Sequence, residues 1–143
     1  MKKRRTTKSK SSSKSTEREL TPEGEAKYLR VVAFFEKLLR HSKGQVAGQA
    51  FALLPWQHYV LKEIFGRLND DGTRQRRVGY IEIPKKQGKS TTLAGLALYL
   101  TAFDSEPGAE VYGAACDREQ AGIIYREAAS MVRASPEIGR AHV

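Results

Sequence analysis

The sequence predicts an α/β fold, a parallel sheet with flanking helices, behind a disordered basic tail. Three observations carry this. Two short β-prone runs, residues 78–83 and 110–115, are separated by a helical stretch, the order of a βαβ unit. Helical periodicity fills the chain on both sides of that unit. The first twenty residues hold no apolar side chain between Met1 and Leu20, so they cannot bury surface to offset their ordering entropy.

The tail carries much of the charge. Eight Lys or Arg and two Glu lie within residues 1–20, so that segment accounts for +6 of the chain's +9. A solvated tail and an arm contacting DNA or RNA both fit such a run. The whole chain has 143 residues, enough for one modest domain, and its mean hydropathy is −0.53. No apolar run approaches the roughly 20 residues of a membrane span. Ser and Lys follow the basic N-terminus where a signal peptide would place its apolar region. A single cysteine, Cys116, excludes an internal disulfide framework and a Cys-based zinc site, and fits a reducing compartment.

The elements follow in order. Thr21-Pro22-Glu23 reads as an N-cap, a Pro at the first helical position and an acidic first turn. The helix it opens runs to about Arg40, with Tyr28, Val31, Val32, Phe35, Leu38 and Leu39 at helical spacing. Lys43-Gly44 and Gly48 break it into a loop. A second helix starts near Pro55, with Trp56, Val60, Ile64 and Leu68 on one side. Asn69-Asp70-Asp71-Gly72 is a turn, and Arg74, Arg76 and Arg77 form a short basic stretch. The run Val78-Gly79-Tyr80-Ile81-Glu82-Ile83 is the first expected strand, and Pro84 with Gly88 ends it. A helix over 89–103 carries Leu93, Leu96, Ala97, Leu100 and Phe103. Glu106-Pro107-Gly108 turns into the second expected strand, 110–115. Asp117, with Gln120 three residues on, caps a last helix bearing Ile123, Ile124, Ala128, Met131 and Val132, which stops before Pro136.

The chemistry sits at Gly88-Lys89-Ser90. A phosphate-binding loop needs backbone N–H groups converging through a tight turn, a Lys that reaches the terminal phosphate oxygens, and a hydroxyl for Mg²⁺ at a helix N-terminus. These three residues supply the last part of G-x-x-x-x-G-K-[ST]; Ile83 stands where the first Gly belongs. The tripeptide alone is weak, and a lysine-rich surface turn is the alternative. Its place after a β-prone run and at the start of a helix is what the loop demands, and it makes the expected fold a partial phosphate-loop NTPase fold.

Beyond that motif, the chain resembles a family. Pro55-Trp56-Gln57, then Ile83-Pro84-Lys85-Lys86-Gln87-Gly88-Lys89-Ser90, Glu106-Pro107-Gly108-Ala109-Glu110-Val111-Tyr112, Ala114-Ala115 and Gln120-Ala121 are similar to the N-terminal ATPase region of tailed-phage terminase large subunits, over about 31–136. That family often has a Walker A loop without its first Gly. The resemblance implies ATP and Mg²⁺ as cofactors. It implies phosphate binding by Lys86, Gln87, Gly88, Lys89, Ser90 and Thr91, the metal on Ser90, and an adenine contact at Gln57. Lys89 and Lys85 are the candidate catalytic residues. Lys85 stands where the family often has a γ-phosphate-sensing Arg, and it lacks Arg's planar fork. The implied partners are double-stranded viral DNA, the terminase small subunit and the portal protein, in a homo-oligomeric ring without membrane contact, in the host cytoplasm during virion assembly.

The Walker B Asp, the catalytic Glu and the nuclease carboxylates of that family come later than residue 143. The chain is therefore expected to be a fragment, inactive alone, of a larger ATPase with a nuclease domain. The expected organisation is a tail over 1–20, part of the ATPase domain over 21–137, and a sequencing-adapter scar over 138–143. Asp117 and Glu119 read as cap and first-turn acids. His41, His58 and His142 show no ligand spacing, and Cys116 reads as a small buried residue. Trp56 reads as a core anchor, and the Arg74–Arg77 stretch as a solvated loop. Two other functions fit the residues: a helicase-like nucleic-acid ATPase, and a non-catalytic basic DNA-binding or adaptor protein.

Overall fold

The computed structural model describes residues 19–140. Most of the expected basic tail, and the end of the expected adapter-derived segment, lie outside them. Helix α1, Pro22–Ala33, starts where the sequence places it. The Thr21 hydroxyl accepts the Gly24 N–H at 3.1 Å, and Glu23 and Glu25 sit in the first turn, where the helix dipole favours acids. The helix then widens into a π-wound segment, Phe34–Leu38, closed by a bond from Leu39 N–H to the Phe34 carbonyl. Helix α2, Pro55–Leu61, widens in the same way over Lys62–Gly66. Helix α3 spans Lys89–Ala102, α4 spans Arg118–Ala134, and the short α5 spans Pro136–Arg140. At the start of α4 the Asp117 carboxylate accepts the Gln120 N–H at 2.8 Å, as the sequence suggests.

The expected parallel sheet is not there. Among the described residues no strand forms, and pairing is confined to two isolated antiparallel bridges, Arg40 with Ala50 and Leu68 with Arg74. The fold is helical. Residues 78–83 and 110–115 carry no assigned secondary structure, and they are open to solvent: Val78 and Tyr80 are 88% and 86% exposed, and Tyr112 is 83% exposed. β-propensity describes side chains that fit a pleated, half-buried surface, whereas a strand also needs a neighbour about 4.8 Å away to take its hydrogen bonds. Neither run has one.

The core is aromatic and lies among α1, the segment after α2, and α3. Phe34 meets Tyr99 at 5.4 Å and Phe103 at 4.9 Å between ring centroids, and Phe65 meets Tyr99 at 5.3 Å edge to face. Phe35, Leu39, Leu61 and Met131 are wholly buried. Helix α3 is apolar on nearly all sides, as a central helix must be, and it packs on α4. It also receives the Phe35 ring. A β-carbon on Gly95 would stand 2.5 Å from Phe35 Cε1, so only glycine leaves room there. Ile138 of α5 is 3% exposed and belongs to this core.

Two single residues differ from expectation. Cys116 is exposed, because the run it ends joins no sheet that would cover it. Trp56 is half-buried, with its indole nitrogen enclosed. The basic stretch is largely neutralised within the chain. Arg74 pairs with Asp104 and lies 4.6 Å over the Phe65 ring, and Arg76 reaches Glu63 at 3.4 Å.

Candidate functional site

The turn that leads into α3 is built by left-handed backbone. Lys86 has φ +65° and Gly88 has φ +77°. Gly88 takes that conformation without steric cost, whereas Lys86 holds it as a non-glycine residue at a bend. Gly88 is the N-cap of α3, and its carbonyl accepts the Thr92 N–H at 2.9 Å. Lys89 and Ser90 are the first two helical residues and are exposed. Their amides belong to the first turn, which has no carbonyl partner within its own helix and points toward an incoming anion.

Beside this turn is a cleft of about 270 Å³. Lys86, Gln87, Gly88 and Thr91 line it, with Gln57 of α2 beside Gly88. His41, Phe51, Ala52 and Leu54 complete the lining. The fold therefore brings together Gln57 and most of the loop residues expected from the sequence, although thirty residues separate them. Lys85, Lys89 and Ser90 are exposed and lie outside that lining, the last two at the helix start just after Gly88.

Gln57 is 3% exposed, and both ends of its amide are engaged. Its Oε1 accepts the Leu54 N–H at 2.6 Å, and its Nε2 donates to the Thr92 hydroxyl at 2.7 Å. Thr92 Oγ1 donates in turn to the Gly88 carbonyl at 2.8 Å. Sequence reasoning missed Thr92. Its place four residues after Gly88 is a signal for a hydroxyl bond back to that carbonyl, but nothing local points to Gln57.

The loop that brings His41 to the cleft is held from α4 and its cap. The loop after α1 is pinned where Arg40 N–H donates to Ser135 Oγ, Ser42 Oγ donates to Glu127 at 2.8 Å, and Lys43 pairs with Glu127 at 2.6 Å. His41 stacks on Phe51, with ring centroids 4.0 Å apart. Burial lowers the His41 pKa, partly opposed by the Glu127 charge. Burial alone would raise the Glu127 pKa. The hydrogen bonds from Lys43 and Ser42 and the nearby positive charge outweigh it, so the net direction is downward.

A carboxylate whose pKa falls on folding stabilises the fold above its unfolded pKa. That stability is lost as pH drops through the folded value. Glu127→Gln should therefore cost about 1–2 kcal/mol at pH 7, around the lower limit of the charged hydrogen-bond range because Lys43 is mostly exposed. It should also flatten the acid limb of stability. Urea unfolding at pH 7 and pH 4 checks this; parallel losses in both proteins would remove Glu127 from the tie.

On the other side of α2, His58 Nδ1 lies 2.8 Å from the Tyr28 hydroxyl, and its Nε2 is 3.8 Å from Glu36. Among the described residues no group of three or more His, Cys, Asp or Glu could hold a metal ion. No helix among them is long and apolar enough to cross a membrane.

Comparison with known proteins identifies the setting of this loop. Residues 55–141 match the family described as terminase large subunit, ATPase domain, which takes in Gln57, the whole turn and α3. The chain belongs to that family. It is 29% identical over 110 residues to the terminase large subunit of Enterobacteria phage HK97, a match covering 76% of this chain and 21% of that protein. The crystal structure of the HK97 bacteriophage large terminase superposes with a TM-score of 0.65 at 27% identity, covering 79% of this chain and 22% of that one. The chain thus spans about a fifth of the length of these relatives.

Proposed function

We propose that this chain is the nucleotide-binding part of a viral DNA-packaging motor. It binds ATP with Mg²⁺ at the turn 85–91. The observation that carries the reading is the left-handed Gly88 cap, which opens α3 onto Lys89 and Ser90 beside a cleft shared with Gln57.

The residues present fit a triphosphate. Exposed first-turn amides, the ammonium of Lys89, and Lys85 and Lys86 on the preceding bend gather positive charge in one place. Lys89 binds the terminal phosphates, and the Ser90 hydroxyl is the ligand this chain offers to Mg²⁺. The bound ion would neutralise charge on the phosphate oxygens. Lys85 meets the γ-phosphate as a point charge. Gln57 keeps one Nε2 hydrogen beyond its bond to Thr92 and offers it to an acceptor on the adenine. The amides of Gln87, Gly88 and Thr91 complete the cradle.

In the whole protein, ATP hydrolysis at this site drives translocation of double-stranded viral DNA, and a nuclease domain cuts it. The small subunit and the portal protein are its partners, and the motor is a homo-oligomeric ring in the host cytoplasm. Family membership supports this reading over a helicase-like ATPase or a basic adaptor.

The test is a titration of the chain with a fluorescent ATP analogue, with and without Mg²⁺. Saturable binding that strengthens with Mg²⁺ and is competed by unlabelled ATP is expected. A flat titration at millimolar nucleotide would overturn the proposal.

A further inference from the structure

We propose that Thr92 is a positioning residue of the phosphate loop, holding the Gly88 carbonyl in place through a hydrogen-bond relay, buried at its Gln57–Thr92 link, that Gln57 anchors to α2. In its link to nucleotide binding the inference rests on the reading above; its structural content does not.

The relay has four members. Leu54 N–H donates to Gln57 Oε1 at 2.6 Å, Gln57 Nε2 to Thr92 Oγ1 at 2.7 Å, and Thr92 Oγ1 to the Gly88 carbonyl at 2.8 Å. Thr92 and Gln57 are 1% and 3% exposed, so water does not replace the bond between them; the bonds to Leu54 and Gly88 at the two ends are part-buried. A threonine in a helix commonly bonds back to the carbonyl four residues earlier, and by itself that bond would mean little. Here the same hydroxyl also accepts from a buried amide 35 residues upstream. Its single proton can then go only to Gly88, which fixes the direction of the whole chain of bonds.

Gly88 is where direction matters. Its left-handed backbone sets the angle at which the first-turn amides of α3 leave the loop. Its carbonyl accepts from both the N–H and the hydroxyl of Thr92. Two bonds on one carbonyl hold the peptide plane more narrowly than one, and a small error in amide direction is enough to weaken a site built from converging donors. Gln57 ties that plane to α2, so cleft wall and loop move together.

The experiment compares wild type with Thr92→Val, Thr92→Ser and the double variant Gln57→Leu/Thr92→Val. Backbone amide exchange of the free proteins is measured, together with binding of the fluorescent ATP analogue in Mg²⁺. Thr92→Val keeps shape and removes the hydroxyl. It is expected to speed exchange at the residue 54 and residue 92 amides at least tenfold while exchange at Val31 and Phe35 stays within threefold. Analogue binding should weaken at least tenfold. Thr92→Ser should restore both, which a loss of packing alone would not allow. Should the valine protein fail to fold with an orphaned Gln57 amide, the double variant removes both polar partners and is read instead at residue 92.

Unchanged exchange at residues 54 and 92 in Thr92→Val overturns the proposal, as does failure of Ser to restore it. Unchanged nucleotide affinity in a variant whose exchange has risen overturns it too. Absence of nucleotide binding by wild type would overturn the function proposed above, and the exchange measurements would then decide the relay alone.

Discussion

Lys89→Ala is expected to weaken binding of Mg²⁺ and an ATP analogue at least tenfold, about 1.4 kcal/mol or more. The ammonium sits on the first turn of α3, one residue past the left-handed Gly88, where first-turn amides and helix dipole already favour an anion. Removing it takes away the cation that the proposed site places on the terminal phosphates. Because Lys89 is exposed, its loss should leave stability within about 0.5 kcal/mol of wild type. Titration and a thermal melt of both proteins therefore separate a binding defect from a folding one. Equal affinities in two proteins that both bind would take Lys89 out of the site.

The helices of this chain were legible because their signals are local. Thr21-Pro22 and Asp117 mark starts with a cap, and α3 opens where Gly88 ends a turn. That no sheet forms among the described residues was not legible, for the opposite reason. Val78, Tyr80 and Tyr112 have the propensity of strand residues, but pairing is a property of two segments, and these two runs stay unpaired and exposed. The widened turns at Phe34–Leu38 and Lys62–Gly66 also escaped a 3.6-residue period, since each is a single turn at the end of its helix and no further helical turns follow to show a shifted pattern.

The site divides along the same line. The motif and the family resemblance pointed to the loop residues and to Gln57. They did not show that Gln57 is buried, nor that Thr92 receives its amide. Likewise the Lys43–Glu127 tie, which supports the wall bearing His41, joins residues 84 apart and leaves no periodic trace.

The largest effect on stability is expected from Phe35→Ala. Phe35 is fully buried, its ring lying edge to face 5.7 Å from both Phe34 and Phe51 and against the bare backbone of Gly95. Truncation removes the apolar contact and leaves a cavity between α1 and α3. Neither can collapse into it, because Phe34 and Leu39 hold neighbouring contacts of their own. The cost should be about 3–5 kcal/mol, a large share of the roughly 5–15 kcal/mol available to a domain. The consequence reaches the site, since Phe51 is a wall of the cleft and α3 carries the loop. Phe35→Leu, which refills most of the volume, should lose less than half as much. Urea unfolding of the three proteins gives the test: the midpoint should fall steeply for Ala and modestly for Leu at similar slopes. An Ala midpoint equal to wild type would mean that the ring does not fill the space against Gly95, and α3 would need another support on its α1 side.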